Sequence, residues 1–134
     1  MGPRILVVDD ESHITCVLCF KLRQVGAEVF SGSNGLEGLA LAAEHKPDLI
    51  VTDFQMPEMD GLEFCRALAA DEATKGTPVL LLTARGHRVT PGDLAETSVR
   101  ALLPKPFSIR DLLQQIGEIL PGSGLAARPD GAAL

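Results

Sequence analysis

Five residues far apart in the chain have the types and settings to do chemistry together: the pair Asp9-Asp10, then Asp53, Thr83 and Lys105. Each follows a short apolar run, ILVV (5–8), LIV (49–51), VLLL (79–82) or ALL (101–103). Runs of that length between breakers read as buried strands, so the acids stand where a buried sheet meets solvent. That is an expensive place for a lone carboxylate. Three carboxylates held together repel and raise one another's pKa unless a cation lies among them. Hard oxygen ligands in that number suit Mg²⁺, which keeps waters and shares its shell with a phosphate. Lys105 adds a flexible point charge and Thr83 a hydroxyl donor. These are the parts needed to stabilise a phosphoryl group as it passes to a carboxylate oxygen.

The elements that must position these residues are legible in the hydrophobic periodicity. The four runs, together with a weaker one, EVF (28–30), alternate with segments whose apolar residues recur every three or four positions. Such alternation implies an α/β domain with parallel strands and crossover helices on both faces. In an open parallel sheet the carboxyl ends of the strands form the crevice where ligands bind, which brings the five residues to one place. The helical faces are Ile14/Val17/Leu18/Leu22/Val25, Leu36/Leu39/Ala40/Ala43, Leu62/Cys65/Leu68/Ala69 and Ile109/Leu112/Leu113/Ile116/Leu120. Ser33 or Asn34 can cap the second helix, and Ser108 with Asp111 forms a capping box for the last. Asp60, beside Gly61, is read as a cap of the third helix and not as a ligand. The fourth helix is expected to be short, because Thr90-Pro91-Gly92 can start a helix at Pro91 but cannot lie inside one.

Composition limits the alternatives. The chain has 134 residues, 46% of them hydrophobic, enough for one domain with a core of its own. The expected domain spans 1–121, and 122–134, rich in Gly, Ala and Pro, reads as a disordered tail or the start of a linker. The formal net charge is −6, with Lys and Arg spread along the chain, which argues against a nucleic acid or an anionic membrane as partner. No apolar run is long enough to span a bilayer and no signal-peptide core is evident, so a cytoplasmic location is expected. Cys16, Cys19 and Cys65 are an odd count, with no second pair to complete a zinc site or a disulfide framework.

Taken together, Asp9-Asp10 after ILVV, Asp53 with Met56-Pro57 and Asp60-Gly61, Thr83-Ala84 and Lys105-Pro106-Phe107 resemble the receiver domain of two-component response regulators, from about Arg4 to Leu120. The resemblance implies a single flavodoxin-like (CheY-like) doubly wound domain, a five-stranded parallel sheet of order 2-1-3-4-5. It implies Asp53 as phosphoacceptor, Asp10 as a direct Mg²⁺ ligand, Asp9 as a ligand through water, and the Gln55 carbonyl as the remaining protein ligand. It further implies that Thr83 and the Ala84 amide bind phosphoryl oxygens, that Lys105 pairs with the phosphate, and that the Lys105-Pro106 bond is cis. Met56-Pro57 and Gly61 would shape the loop after Asp53. The implied partners are a histidine kinase or histidine phosphotransfer protein and a downstream effector.

Leu102 and Pro104 depart from the family pattern, and Thr90-Pro91-Gly92 alters the fourth helix on the same face. Leu102 stands three residues before the lysine, where the family has Tyr or Phe, so aromatic switching there is not available to this chain. Pro104 precedes the lysine, which an edge strand tolerates. Gln55, two residues after Asp53, and Arg85, two after Thr83, match positions that in this family flank the phosphoryl group and bear on how easily water reaches it. On the first helix Cys16, Cys19 and Phe20 are expected to form an exposed apolar patch that docks the phosphodonor partner. An aspartyl-nucleophile phosphatase is the competing reading, but such enzymes need Asp-x-Asp, and Gln55 removes the second carboxylate as general acid. The chain is therefore expected to be a signalling module and not a metabolic enzyme. A receiver-like binding protein that no longer uses phosphate is the third reading, favoured by Leu102 and opposed by the intact acidic set.

Overall fold

The computed structural model describes residues 2–84 and 89–123. Among them, strands and helices alternate: β1 (Arg4–Val8), α1 (Ser12–Gln24), β2 (Glu28–Gly32), α2 (Gly35–His45), β3 (Leu49–Asp53), α3 (Gly61–Ala70), β4 (Val79–Thr83), α4 (Pro91–Ala95), β5 (Val99–Pro104) and α5 (Ile109–Ile119). The strands form one parallel sheet of order β2-β1-β3-β4-β5, the order the resemblance implied. Side chains alternate across it. Ile5 and Val7 join a cluster with α1 and α5, while Leu6 and Val8 join a second cluster with α2 and α3. A strand buried on both faces needs apolar residues at every position, which is why β1 and β3 read as continuous runs and not as alternating ones.

Caps fix the helix starts. Asn34 accepts from the Glu37 amide at 2.8 Å, while Ser33 turns to the Glu37 carboxylate. Asp60 with Glu63, Thr90 with Asp93 and Ser108 with Asp111 form reciprocal capping boxes. Helix α4 is five residues long and starts at Pro91, as expected. Strand β2 runs two residues further than EVF, and β5 extends from Val99 to Pro104, with Pro104 on an edge strand.

Two helical faces differ from the periodicity. On α2 the buried residues are Gly35, Gly38 and Ala42, whereas Leu36 is 63% exposed and Ala40 and Ala43 also face solvent. The helix lies so close to the sheet that a Cβ at Gly38 would sit 2.9 Å from both Phe64 Cζ and Val8 Cγ2. A close approach selects glycine, so counting large apolar residues finds the wrong side. On α1 the buried set is Leu18, Cys19 and Leu22, with Val25 at the cap, and Val17 is 49% exposed. The expectation of an exposed Cys19 is thus corrected. At about 100° per residue, Val17 and Cys19 lie equally far to either side of Leu18, and Cys19 is the one that meets β2, beside Ser31. Burial pushes the Cys19 thiol up and the Cys65 thiol up to about 12, so both behave as small apolar groups. Arg85 and most of the expected tail, 124–134, lie outside the described residues.

Candidate functional site

The sheet delivers the acids as its topology requires. Strands β1 and β3 are neighbours in register Val8↔Thr52, so the residues that follow, Asp9 and Asp53, emerge side by side at the carboxyl edge. Asp9 is 1% and Asp53 5% exposed, while Asp10 faces solvent. One carboxylate oxygen from each of Asp9, Asp10 and Asp53 lies within 4.8 Å of the others. Asp9 Oδ1 accepts from the Glu11 amide at 2.9 Å, while Asp9 Oδ2 is buried with no partner among the described residues. Desolvation raises the Asp9 carboxyl to about 6. The Glu11 amide opposes that rise, and repulsion from Asp53 adds to it. A buried carboxylate oxygen without a donor, on one of three clustered acids, fits a divalent cation with oxygen preference.

Lys105 approaches from the other side. Its Nζ lies 2.7 Å from Asp53 Oδ1. Burial pulls the ammonium's pKa down, but the hydrogen bond to Asp53 and the charges of Asp53, Asp9 and Glu11 outweigh it, and the net shift is upward. The Lys105 amide donates to the Thr83 carbonyl at 2.7 Å, which ties the lysine to the end of β4, and the Lys105-Pro106 bond is cis. Asp10, Glu11, Asp53, Gln55, Ala84 and Lys105 line one crevice of about 220 Å³. Thr83, half-buried, ends β4 beside it.

Other expected site residues lie elsewhere. Leu102, 36% exposed, pairs with Leu81 on the edge strand and does not line the crevice. Cys16 and Phe20 are exposed on α1, Phe20 at 59%. A second concavity, of about 450 Å³, is mostly apolar and sits next to the acids instead of on them. It runs between Ile14 and Val17 of α1 and Pro106, Phe107 and Ile109, with Lys105 at its edge. Sequence reasoning assigned no role to Glu11 and only a place in a motif to Phe107. Glu11 directly follows a site residue, and Phe107 lies two beyond one, which was the available signal.

The chain matches the response regulator receiver domain over residues 5–117. It belongs to that family. It is therefore a receiver domain of the two-component response regulators. The receiver chain is 37% identical over 127 residues to the alkaline phosphatase synthesis transcriptional regulatory protein PhoP of Bacillus subtilis (strain 168), covering 95% of this chain and 52% of that protein. It is 35% identical over 118 residues to the DNA-binding dual master transcriptional regulator RpaA of Synechocystis, covering 88% of this chain and 49% of that one. The chain thus spans about half the length of these curated relatives. Among solved structures, the chemotaxis response regulator CheY4 of Vibrio cholerae superposes with a TM-score of 0.81 at 31% identity, covering 90% of this chain and 100% of that one. The receiver domain of a sensor histidine kinase from Pseudomonas aeruginosa PAO1 superposes with a TM-score of 0.77 at 25% identity over 88% of this chain and 97% of that one. Its structure carries a magnesium ion coordinated in the active site cleft. Among the described residues of this receiver, no helix is long and apolar enough to cross a membrane.

Proposed function

We propose that Asp53 is the phosphoacceptor of this receiver, taking a phosphoryl group from a phosphohistidine on a histidine kinase or phosphotransfer protein. The observation that carries this reading is the 2.7 Å contact of Lys105 Nζ with Asp53 Oδ1 inside a three-carboxylate cluster. A carboxylate oxygen of Asp53 attacks phosphorus, the new O–P bond forms as the N–P bond breaks, and the departing imidazole keeps the electron pair. Lys105 stands where an ammonium meets an oxygen of a phosphoryl group carried by Asp53. The Ala84 amide and the Thr83 hydroxyl, at the end of β4, are the donors for its remaining oxygens. Asp9, Asp10, Asp53 and the Gln55 carbonyl would hold Mg²⁺, which when bound neutralises the clustered carboxylates and the incoming phosphoryl charge. Gln55, which lines the crevice, and Arg85, two residues after Thr83 in the sequence, would influence water access to the phosphoryl group. With Leu102 outside the crevice, the output to an effector is proposed not to use an aromatic switch. The setting proposed is cytoplasmic.

Incubation with acetyl phosphate and Mg²⁺, read by intact mass, tests the assignment: wild type should gain one phosphoryl group and Asp53→Asn none. Labelling of Asp53→Asn at the wild-type rate would reject it. For the donor protein we propose docking on α1 through Val17 and Phe20, one helical turn apart, together with the apolar groove beside Lys105. Exposed Cys16 flanks them, while buried Cys19 has no part. Phe20→Ala should slow transfer from the phosphorylated donor protein and leave acetyl phosphate labelling unchanged. Equal slowing with both donors would show that Phe20 acts on the fold.

A further inference from the structure

Strand β3 is apolar from Leu49 to Val51, and Thr52, next to Asp53 at its end, is fully buried. A valine would fill the same volume with no hydroxyl to desolvate, so the threonine needs a reason beyond packing. Its Oγ1 donates to the Asp53 carbonyl at 3.1 Å, and Met56 Sδ lies at 4.0 Å. One proton serves one acceptor, and the nearer carbonyl oxygen is the stronger.

The peptide that receives this bond joins Asp53 to Phe54 and is held from three directions. The Phe54 amide donates to the Leu82 carbonyl at 2.9 Å. The Thr52 hydroxyl holds the Asp53 oxygen. Gly61 presses against the same oxygen, since a Cβ there would come within 2.5 Å of it, and the Gly61 amide donates to the Phe54 carbonyl at 2.6 Å. The orientation of this peptide sets the direction in which the Asp53 side chain leaves the strand and the course of the chain to Gln55.

We propose that Thr52 is a positioning residue for phosphoryl acceptance: its buried hydroxyl fixes the Asp53-Phe54 peptide and, through it, the Asp53 carboxylate and the Gln55 carbonyl. The inference rests on the phosphoacceptor reading of Asp53. It differs from a packing role in one respect, because it requires the hydroxyl and is indifferent to the γ-methyl.

The test compares Thr52→Val, Thr52→Ser and Asp53→Asn in the full chain, measuring acetyl phosphate labelling against Mg²⁺ concentration and, separately, the urea midpoint. Thr52→Val keeps the shape and should raise the half-saturating Mg²⁺ about fivefold, the worth of one typical hydrogen bond, with the urea midpoint at or above that of wild type. Thr52→Ser keeps the hydroxyl and should stay within about twofold of wild type. Unchanged Mg²⁺ dependence in Thr52→Val overturns the proposal. So does equal impairment in Thr52→Ser, which would assign the effect to the methyl group. If Thr52→Val does not fold, the wild type decides by NMR: the Thr52 hydroxyl proton should be observable and should shift on Mg²⁺ addition, and a hydroxyl proton indifferent to Mg²⁺ overturns the proposal. Labelling of Asp53→Asn at the wild-type rate removes the phosphoacceptor reading itself and this inference with it, a result distinct from failure of the valine variant alone.

Discussion

At the centre of the sheet every residue of β3 and four of the five in β1 are buried, and the acids that follow them have nowhere to go but the shared edge. At the β5 side the arrangement is the opposite. Strand β5 buries only Leu103 fully, and α4 buries no residue at all. What ties α4 to the rest is charge: Arg66 of α3 reaches Asp93 Oδ1 at 3.0 Å and Glu96 Oε1 at 3.3 Å, with the arginine side chain 44% exposed. A five-residue helix is too short to hold itself, and exposed ion pairs add little. The central strands are thus held by burial and the α4 edge by surface charge and its Thr90 capping box, which places α4 at the low-stability end of the molecule. The buried half carries the acid cluster. The loosely held half follows Thr83 and Ala84 in the chain.

The largest expected effect is on the buried half. Phe64 is fully buried against the glycine face of α2, so Phe64→Ala should cost about 3–5 kcal/mol in urea unfolding. A loss comparable to that of a surface substitution would show that the centre is not held as described. Next comes the buried acid. Because the folded Asp9 carboxyl is raised from 3.8 to about 6, its contribution to stability is fully present below about pH 4 and is lost as pH rises through 6. Each tenfold change in proton affinity is worth about 1.4 kcal/mol, so the loss is on the order of 3 kcal/mol. Metal-free wild type should therefore lose stability relative to Asp9→Asn as pH rises from about 4 to 7, and Mg²⁺ should reverse the loss. Parallel pH profiles for the two proteins would contradict the burial of an unpaired Asp9. The smallest effect belongs to the edge. Arg66→Ala should leave the urea midpoint unchanged yet speed hydrogen exchange of the Leu94 and Thr97 amides several-fold relative to the Leu112 amide of α5, and high salt should mimic it. Uniform exchange across α4 and α5 in the variant would erase the contrast between the two halves.

Several features could be read from residues alone because their causes are local. The doubly buried strands, the capping box at Ser108 and the late start of α4 at Pro91 all depend on neighbours within a few positions. The acid pair, Asp53, Thr83 and Lys105 could be picked out because each ends a strand run, and parallel topology sends all such ends to one edge. The α2 face was hidden because the contact that defines it is an absence of side chains at Gly35 and Gly38. Thr52 was hidden for a related reason: within a run read only for hydrophobicity, a hydroxyl bonded to the next carbonyl looks like an imperfect valine.

By itself the sequence determined the order of elements, the strand ends at which the five polar residues stand and the family to which the chain belongs, since these follow from periodicity and from residue identity at fixed points. Only the tertiary structure decided which flank of α1 is covered. Val17 and Cys19 are equivalent about the helix axis, and β2 lies on one side while the groove beside Phe107 lies on the other. It also decided that Asp9 Oδ2 is buried without a partner among the described residues and that Lys105 meets Asp53 at 2.7 Å. Such facts depend on the distance between strands far apart in sequence, which no local pattern encodes.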